Sequence, residues 1–173
     1  FLYRHGHQGR AHEVVVDAPD GWGVFTGLPE RDGVFVAEDY DELVDSPFEL
    51  GPHETIDFSV HGVPHRIVMG GPVDLDHDVL AEDLTTLCTE VASVFGTMPF
   101  EDYTFILLFV DSGGGGLEHK NSNVSIGNRW RVTSEDGYRS FLGLLAHEYF
   151  HAWNVKRFRP EALGPFDYDR ENY

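Results

Sequence analysis

The chain has 173 residues, of which 41% are apolar and 13% aromatic, and its formal net charge is −18 at pH 7. This length is sufficient for a folded core, and no apolar stretch approaches the roughly 18 residues of a membrane-spanning helix. Thirty acidic residues against twelve basic ones repel phosphate backbones, which argues against nucleic acid as a partner. We therefore expect a soluble protein without a membrane span. The composition does not decide between cytoplasm and periplasm.

The chain contains one cysteine, Cys88, which excludes an intramolecular disulfide and a zinc site built on cysteines. Its neighbours along the sequence include Leu84, Leu87 and Val91, at spacings that fit one face of a helix. We expect Cys88 to be a small residue of the core.

Residues 1–71 consist of short β-type segments separated by turn residues such as Pro19-Asp20-Gly21. Alternation of apolar and polar residues predicts strands, and an acidic segment before a proline predicts a short helical turn. The predicted strands cover residues 12–17, 33–37, 54–60 and 65–69, and the helical turn covers residues 39–45. Strands of this length joined by tight turns predict an antiparallel sheet.

A helical period begins after Pro72, with Asp76 as the predicted N-cap and Gly96 as the stop of a helix over about residues 76–96. Residues 103–110 are apolar on both alternating faces and predict a strand covered on both sides. A further strand at 123–132, read as a possible edge strand because polar residues interrupt it, precedes a second long helix at 138–155. The predicted fold class is α+β.

The second long helix carries the segment His147-Glu148-Tyr149-Phe150-His151. Two histidines four residues apart project from one helical face, so each imidazole can give one nitrogen to a single Zn²⁺. The intervening Glu148 lies beside such an ion without binding it. A carboxylate there can act as the general base that takes a proton from a zinc-bound water.

Chance must be weighed against this interpretation, because the chain has ten histidines and many glutamates. Independent draws would give the pattern in roughly one such sequence in twenty. The pattern lies within a helical segment that also carries Phe141, Leu142 and Leu145, where paired histidines would otherwise be costly to bury. This context favours a zinc site over coincidence.

A glycine run at 113–116 follows the buried strand directly and is followed by Leu117, Glu118 and His119. Backbone without Cβ atoms, above all at Gly115 and Gly116, can approach a bound peptide closely, and Glu118 could bind a cation. The alternative is an ordinary flexible turn. The remaining histidines, among them His65, are expected at the surface or in local hydrogen bonds.

Catalytic zinc sites have three protein ligands and leave the fourth position to water. The segment supplies two, and the sequence offers Asp167, Asp169 and Glu171 as candidates for the third. The more frequent role for acidic residues in such a position is that of ordinary loop residues.

The chain resembles the glycyl aminopeptidase family of zinc metallopeptidases, which are relatives of thermolysin. Five segments carry the resemblance, and the first two are the most specific: 147–160 (HEYFHAWNVKRFRP), 115–122 (GGLEHKNS), 39–50 (DYDELVDSPFEL), 62–68 (GVPHRIV) and 98–105 (MPFEDYTF).

The resemblance implies that residues 1–71 are the C-terminal part of an N-terminal β domain. It implies that residues 72–173 open a thermolysin-like catalytic domain, which a PDZ domain follows in the family. It also implies that His147 and His151 bind one Zn²⁺, that Glu148 is the general base, and that Glu118 holds the free N-terminal amine of a peptide substrate. In the family the third ligand resembles the glutamate of a Trp-x-x-Glu-Gly segment, which we expect beyond Tyr173.

We therefore expect the full-length parent to be an aminopeptidase that removes small N-terminal residues such as glycine and alanine. This chain, as an internal fragment, is expected to be inactive. Two alternatives remain: a peptide-binding or scaffold module that has lost hydrolysis, and a structural zinc site with four protein ligands. The absence of cysteines near the motif argues against the structural site.

Overall fold

The computed structural model of the chain describes residues 1–161 and 164–169. The described residues form ten strands and three helices, which are in chain order β1 (His12–Val14), β2 (Gly23–Phe25), β3 (Glu30–Arg31), β4 (Val34–Ala37), α1 (Tyr40–Asp45), β5 (Glu49–Gly51), β6 (Glu54–Val60), β7 (Val63–Gly70), α2 (His77–Phe95), β8 (Tyr103–Val110), β9 (Gly115–Glu118), β10 (Ser122–Asn128) and α3 (Glu135–Phe150).

The strands form three sheets, and the largest carries the candidate site. It has five strands in the order β6-β7-β8-β10-β9. The three inner strands run parallel, whereas β6 and β9 pair antiparallel with their neighbours at the two ends. Two small antiparallel sheets, β1-β4-β3 and β2-β5, come from the first third of the chain. Mixed sheets with helices confirm the predicted α+β class.

The main core lies between one face of this sheet and the helices α2 and α3. Tyr103, Phe105 and Leu107 project from β8 into this core and are fully buried. Their neighbour Ile106, on the opposite face, is fully buried as well, so β8 is covered on both sides as predicted.

The first long helix, α2, begins and ends where the sequence predicts. The Asp76 side chain accepts hydrogen bonds from the backbone amides of Asp78 and Val79 at 3.0 and 3.1 Å. Gly96 ends the helix in the left-handed conformation at φ 78°, which glycine adopts without a steric penalty. Cys88 is fully buried on the core face of α2, as predicted.

The second long helix, α3, ends at Phe150, so its predicted extension to residue 155 was wrong. The carbonyl of Phe150 accepts from the amides of Trp153 and Asn154 at 3.1 and 3.2 Å, which tightens the chain into consecutive turns. The regular helix therefore ends one residue before His151, and the residues after it continue as hydrogen-bonded turns.

The last predicted strand was wrong in length and in position. It ends at Asn128 because the Asn128 side chain accepts from the amides of Trp130 and Arg131, both at 3.1 Å, and forms a turn. β10 lies between β8 and β9 rather than at the edge. Its polar residues Asn123 and Ser125 are fully buried, and the Ser125 hydroxyl donates to the Asn123 side-chain oxygen at 3.4 Å.

The predicted domain boundary at residue 71 lies between β7 and β8, which are neighbouring strands of the same sheet. β7, which ends at Gly70, pairs with β8, which begins at Tyr103. The two-domain division with its boundary at 71 stays a prediction, and this pairing favours a boundary just before β6. No helix among the described residues is long and apolar enough to cross a membrane.

Candidate active site

The helix α3 is fixed at its start by a cap and along its length by the core. The Ser134 hydroxyl oxygen accepts from the Gly137 amide at 3.2 Å. Phe141, Leu145 and Tyr149 are buried at spacings of four residues, which places them along one face against the sheet and α2. This packing orients the remaining faces of the helix.

His147 and His151 meet one turn apart at the end of α3. Their Nε2 atoms are 3.0 Å apart, and the rings stand nearly perpendicular at 87° with centroids 4.5 Å apart. His147 is exposed and His151 is partly buried. The two nitrogens therefore converge on one point that solvent can reach.

The hydrogen bond that His151 makes through Nδ1 leaves its Nε2 available as a metal ligand. Its Nδ1 lies 2.6 Å from the carbonyl oxygen of Asn154, so Nδ1 carries the proton and donates it. A neutral imidazole protonated at Nδ1 has a free lone pair at Nε2. The turn that ends α3 therefore sets the tautomer of His151.

The residues fit a zinc ion. Nitrogens that each bind zinc at about 2.0–2.1 Å lie no more than about 4.2 Å apart, and the observed 3.0 Å satisfies this limit. One ligand-type atom from each of His147, Glu148 and His151 lies within 4.8 Å of the others. Across residues 1–161 and 164–169 this is the one cluster of three such residues.

Glu148 lies on the side of α3 that turns toward the sheet, and it is only 4% exposed. Burial raises the pKa of its carboxyl and the nearby Glu118 charge raises it further, while His147 and His151 act in the opposite direction. A carboxyl with a raised pKa exchanges protons more readily near neutral pH.

The glycine run is not a loop throughout, because Gly115–Glu118 form β9 at the end of the sheet. Gly115 has φ 142°, in the region that side chains rarely adopt. Gly116 lies directly against α3, where an added Cβ would be 2.5 Å from Cδ of Glu148. The missing side chain at 116 therefore allows the strand to pass over the Glu148 carboxylate.

Glu118 ends β9 on the same side of the molecule and is partly buried. Within the described part of the chain, its carboxylate has no hydrogen bond or ion pair, and its charge acts on Glu148. An unpaired, partly buried carboxylate beside a second one creates a locally negative surface, which favours a cation.

The structure thus brings together all six candidate site residues around the end of α3 and β9. The candidates Asp167 and Asp169 do not join the two histidines; Asp169 instead accepts from the Tyr3 hydroxyl at 2.9 Å. Glu171 lies outside the described residues.

The expectation that His65 makes a local hydrogen bond is confirmed, since its Nδ1 donates to the Val63 carbonyl at 2.9 Å, but His65 is not at the surface. It is 2% exposed, and its Nε2 accepts from the Tyr149 hydroxyl at 2.9 Å, 84 positions away. No local pattern in the sequence indicates this long-range pair. It supports α3 from the core side.

A helix that carries two convergent histidines and a buried glutamate, lying beside a sheet edge, defines a metallopeptidase-type site. Residues 140–173 match the model described as M61 glycyl aminopeptidase, and residues 1–52 match the model described as Peptidase M61 N-terminal domain. The chain belongs to the M61 glycyl aminopeptidase family of peptidases.

A solved structure supports this assignment over nearly the whole chain. An aminopeptidase N family protein from Idiomarina loihiensis is 35% identical with a TM-score of 0.93, over 98% of this chain and 31% of that protein. This chain therefore spans about a third of that relative's length. The comparison of this chain with curated proteins found no match.

A more distant solved structure has the same fold. The M1 zinc metallopeptidase from Deinococcus radiodurans is 18% identical with a TM-score of 0.52, over 84% of this chain and 34% of that protein. A two-domain M1 zinc metallopeptidase, an E323A mutant bound to L-arginine, is 17% identical with a TM-score of 0.51, over 83% of this chain and 33% of that protein.

Proposed function

We propose that the full-length protein carrying this chain is a zinc-dependent aminopeptidase that releases small N-terminal residues, glycine or alanine, from peptides. The observation that carries the proposal is the convergence of His147 and His151 Nε2 at 3.0 Å beside the buried Glu148. The family match and the zinc metallopeptidases among the structural relatives support it.

In this proposal His147 and His151 bind one Zn²⁺, which supplies Lewis acidity and a water of lowered pKa. Glu148 takes a proton from the attacking water and returns it to the leaving amine. Its burial and raised pKa suit a group that must both accept and release a proton near neutral pH. The third ligand is expected beyond Tyr173.

Substrate binding is assigned to β9. As the terminal strand of its sheet, it has backbone groups on its outer side that no strand of residues 1–161 and 164–169 pairs. Gly115 and Gly116 present this edge without side chains, so an extended peptide could pair with it directly over Glu148. The exposed backbone thus favours a peptide over a compact small molecule.

Glu118 makes the proposed enzyme an exopeptidase. Its carboxylate would bind the terminal ammonium of a substrate, and only a peptide with a free N-terminus supplies that charge. The partly buried position and the lack of a partner among the described residues support this role.

The decisive experiment is Glu148→Gln in the full-length protein, with Asp57→Asn as a matched control at an exposed surface pair. We expect kcat on a glycyl anilide to fall by about 10²- to 10⁴-fold, because the proton acceptor is lost. Zinc content should be retained. Unchanged chelator-sensitive turnover in Glu148→Gln would refute Glu148 as the proton acceptor, whereas a wild type without chelator-sensitive turnover would refute the enzymatic proposal and favour the binding-module alternative.

The 173-residue chain by itself is proposed to be inactive, because two histidines alone do not complete a catalytic zinc site. Glycine release by the purified chain, abolished by chelator and by His151→Ala, would contradict this. Elemental analysis of the same two samples would show whether the chain retains zinc.

A further inference from the structure

The hairpin turn at residues 119–121, which joins β9 to β10, is held from two sides by charged residues of other segments. The Lys120 amide donates to Asp45 Oδ2 at 2.8 Å, and the Lys120 carbonyl accepts from Arg157 Nη1 at 2.6 Å. Asp45 is the last residue of α1, and Arg157 lies six residues after His151. Both backbone groups of one turn residue are thus fixed by side chains distant in sequence.

Asp45 also reaches the segment that follows α3. Its Oδ1 accepts from Lys156 Nζ at 2.7 Å, and both side chains are about one-quarter exposed at 22% and 23%. The Lys156 amide in turn donates to the His151 carbonyl at 3.0 Å. One carboxylate therefore connects the β9–β10 turn to the carbonyl of a candidate zinc ligand through a single lysine.

The surroundings of Asp45 favour its charged form. Burial would raise the pKa of this carboxyl, but the neighbouring His119 ring and the hydrogen bond from Lys156 lower it below its ordinary value. His119 Nδ1 lies 3.6 Å from Asp45 Oδ1, and the His119 ring is buried. The hydrogen bond from Lys156 to Asp45 joins two charged groups, and such charge-assisted hydrogen bonds are shorter and stronger than neutral ones.

We propose that Asp45 is a positioning residue that holds Glu118 and the β9 edge in register with the end of α3. It lies in the segment that matches the N-terminal domain model, whereas Lys156 lies in the segment that matches the catalytic domain model. Glu118 immediately precedes the clamped turn, so a shift of Lys120 would displace its carboxylate relative to His147 and His151. This inference rests on the proposed function of Glu118.

The test compares three forms of the full-length protein: wild type, Asp45→Asn and Asp45→Ala. Asparagine keeps an oxygen for the Lys120 amide but loses the attraction to Lys156, whereas alanine loses both. We expect KM for a glycyl anilide to rise by about tenfold in Asp45→Ala and less in Asp45→Asn, because misplacement of a binding group weakens substrate capture. kcat and zinc content should stay within about twofold of wild type.

The matched control is Asp57→Asn on β6, the strand at the opposite end of the sheet from β9. It removes an exposed pair with Arg66 and should leave KM unchanged. An N-acetylated peptide, cleaved slowly or not at all, supplies a second readout. In Asp45→Ala the ratio of the cleavage rate of the free-amine peptide to that of the N-acetylated peptide should fall. A purely structural loss would instead lower the cleavage rates of both peptides by the same factor.

The outcomes separate the two hypotheses. If wild type shows no chelator-sensitive glycine release, the proposed function fails. If wild type is active and Asp45→Ala leaves KM unchanged, or lowers kcat and zinc content at unchanged KM, the positioning role is refuted. Should Asp45→Ala not fold, the near-isosteric Asp45→Asn still decides, because it must raise KM above the Asp57→Asn value.

Discussion

The two sides of α3 differ in what determines their residues. On the core side, Leu145, Tyr149 and Trp153, which follows the helix, are buried in the main core. Their identity is set by volume and, for Tyr149 and Trp153, also by hydrogen bonds to His65 and to the Thr97 carbonyl. On the site side, His147 is exposed and makes few contacts, and its identity is set by chemistry. Glu148 lies between these two sides, and it is the one buried charged residue of α3. Stability and activity should therefore respond to different substitutions on the same helix.

The largest stability effect is expected from Leu145→Ala, since Leu145 is fully buried. Loss of a buried leucine side chain costs about 2–5 kcal/mol of the free energy of unfolding. Urea unfolding of the chain measures it, with Gly143→Ala on the same helix as control, because a Cβ there meets no atom within 4 Å. A loss below about 1 kcal/mol would show that the core side does not anchor α3.

A smaller effect, and on activity rather than stability, is expected from Gly116→Ala. The added methyl group would collide with the Glu148 side chain and move either β9 or the carboxylate. kcat/KM of the full-length protein should fall by about tenfold to a hundredfold with zinc retained. Gly114→Ala is the control, since its Cβ would make only an ordinary contact at 3.5 Å. If Gly116→Ala and Gly114→Ala had equal kcat/KM, the hypothesis that β9 forms part of the active site would be contradicted.

The smallest effect is a pH dependence of stability from His65 on the core side. Burial lowers the pKa of this histidine below its unfolded value of about 6.5. Its contribution to stability is therefore complete above that pH. It is lost as pH falls toward the folded pKa, because the unfolded chain gains a proton that the folded chain does not.

Comparison of wild type with His65→Gln between pH 7.5 and 5.5 checks this. The wild type should lose of the order of 1 kcal/mol more than the variant over this range. His77→Gln, at a largely exposed histidine, should behave as wild type. If the pH dependence of the free energy of unfolding were lost in His77→Gln and kept in His65→Gln, its assignment to His65 would be contradicted.

The sequence predicts the parts of this fold that depend on local pattern. The helical period, the Asp76 cap and the Gly96 stop predict α2 to within one residue, and continuous apolar character predicts β8. The motif spacing predicts that His147 and His151 meet. Each of these features is determined by residues close together along the chain.

Other features depend on partners that are distant in the sequence. β9 is formed by glycines that have little strand propensity, and only pairing with β10 makes it a strand. The burial of His65 depends on Tyr149, and the clamp on Lys120 depends on Asp45 and Arg157. No local period indicates such pairs. The helical period also does not indicate the turn in which the Phe150 carbonyl accepts from Trp153 and Asn154 at the end of α3.

The open edge of β9 has a further consequence for colloidal behaviour. A strand edge that can accept a peptide can also accept the edge of another folded molecule, which is how sheets associate into aggregates. Gly113 at φ 103° and Gly115 at φ 142° depart from regular extended backbone, so only a short length of the edge can pair. Gly115 thus both leaves part of the β9 edge without a side chain and, with Gly113, limits self-association. Replacing Gly113 and Gly115 with β-branched residues should lower the concentration at which the protein remains monodisperse.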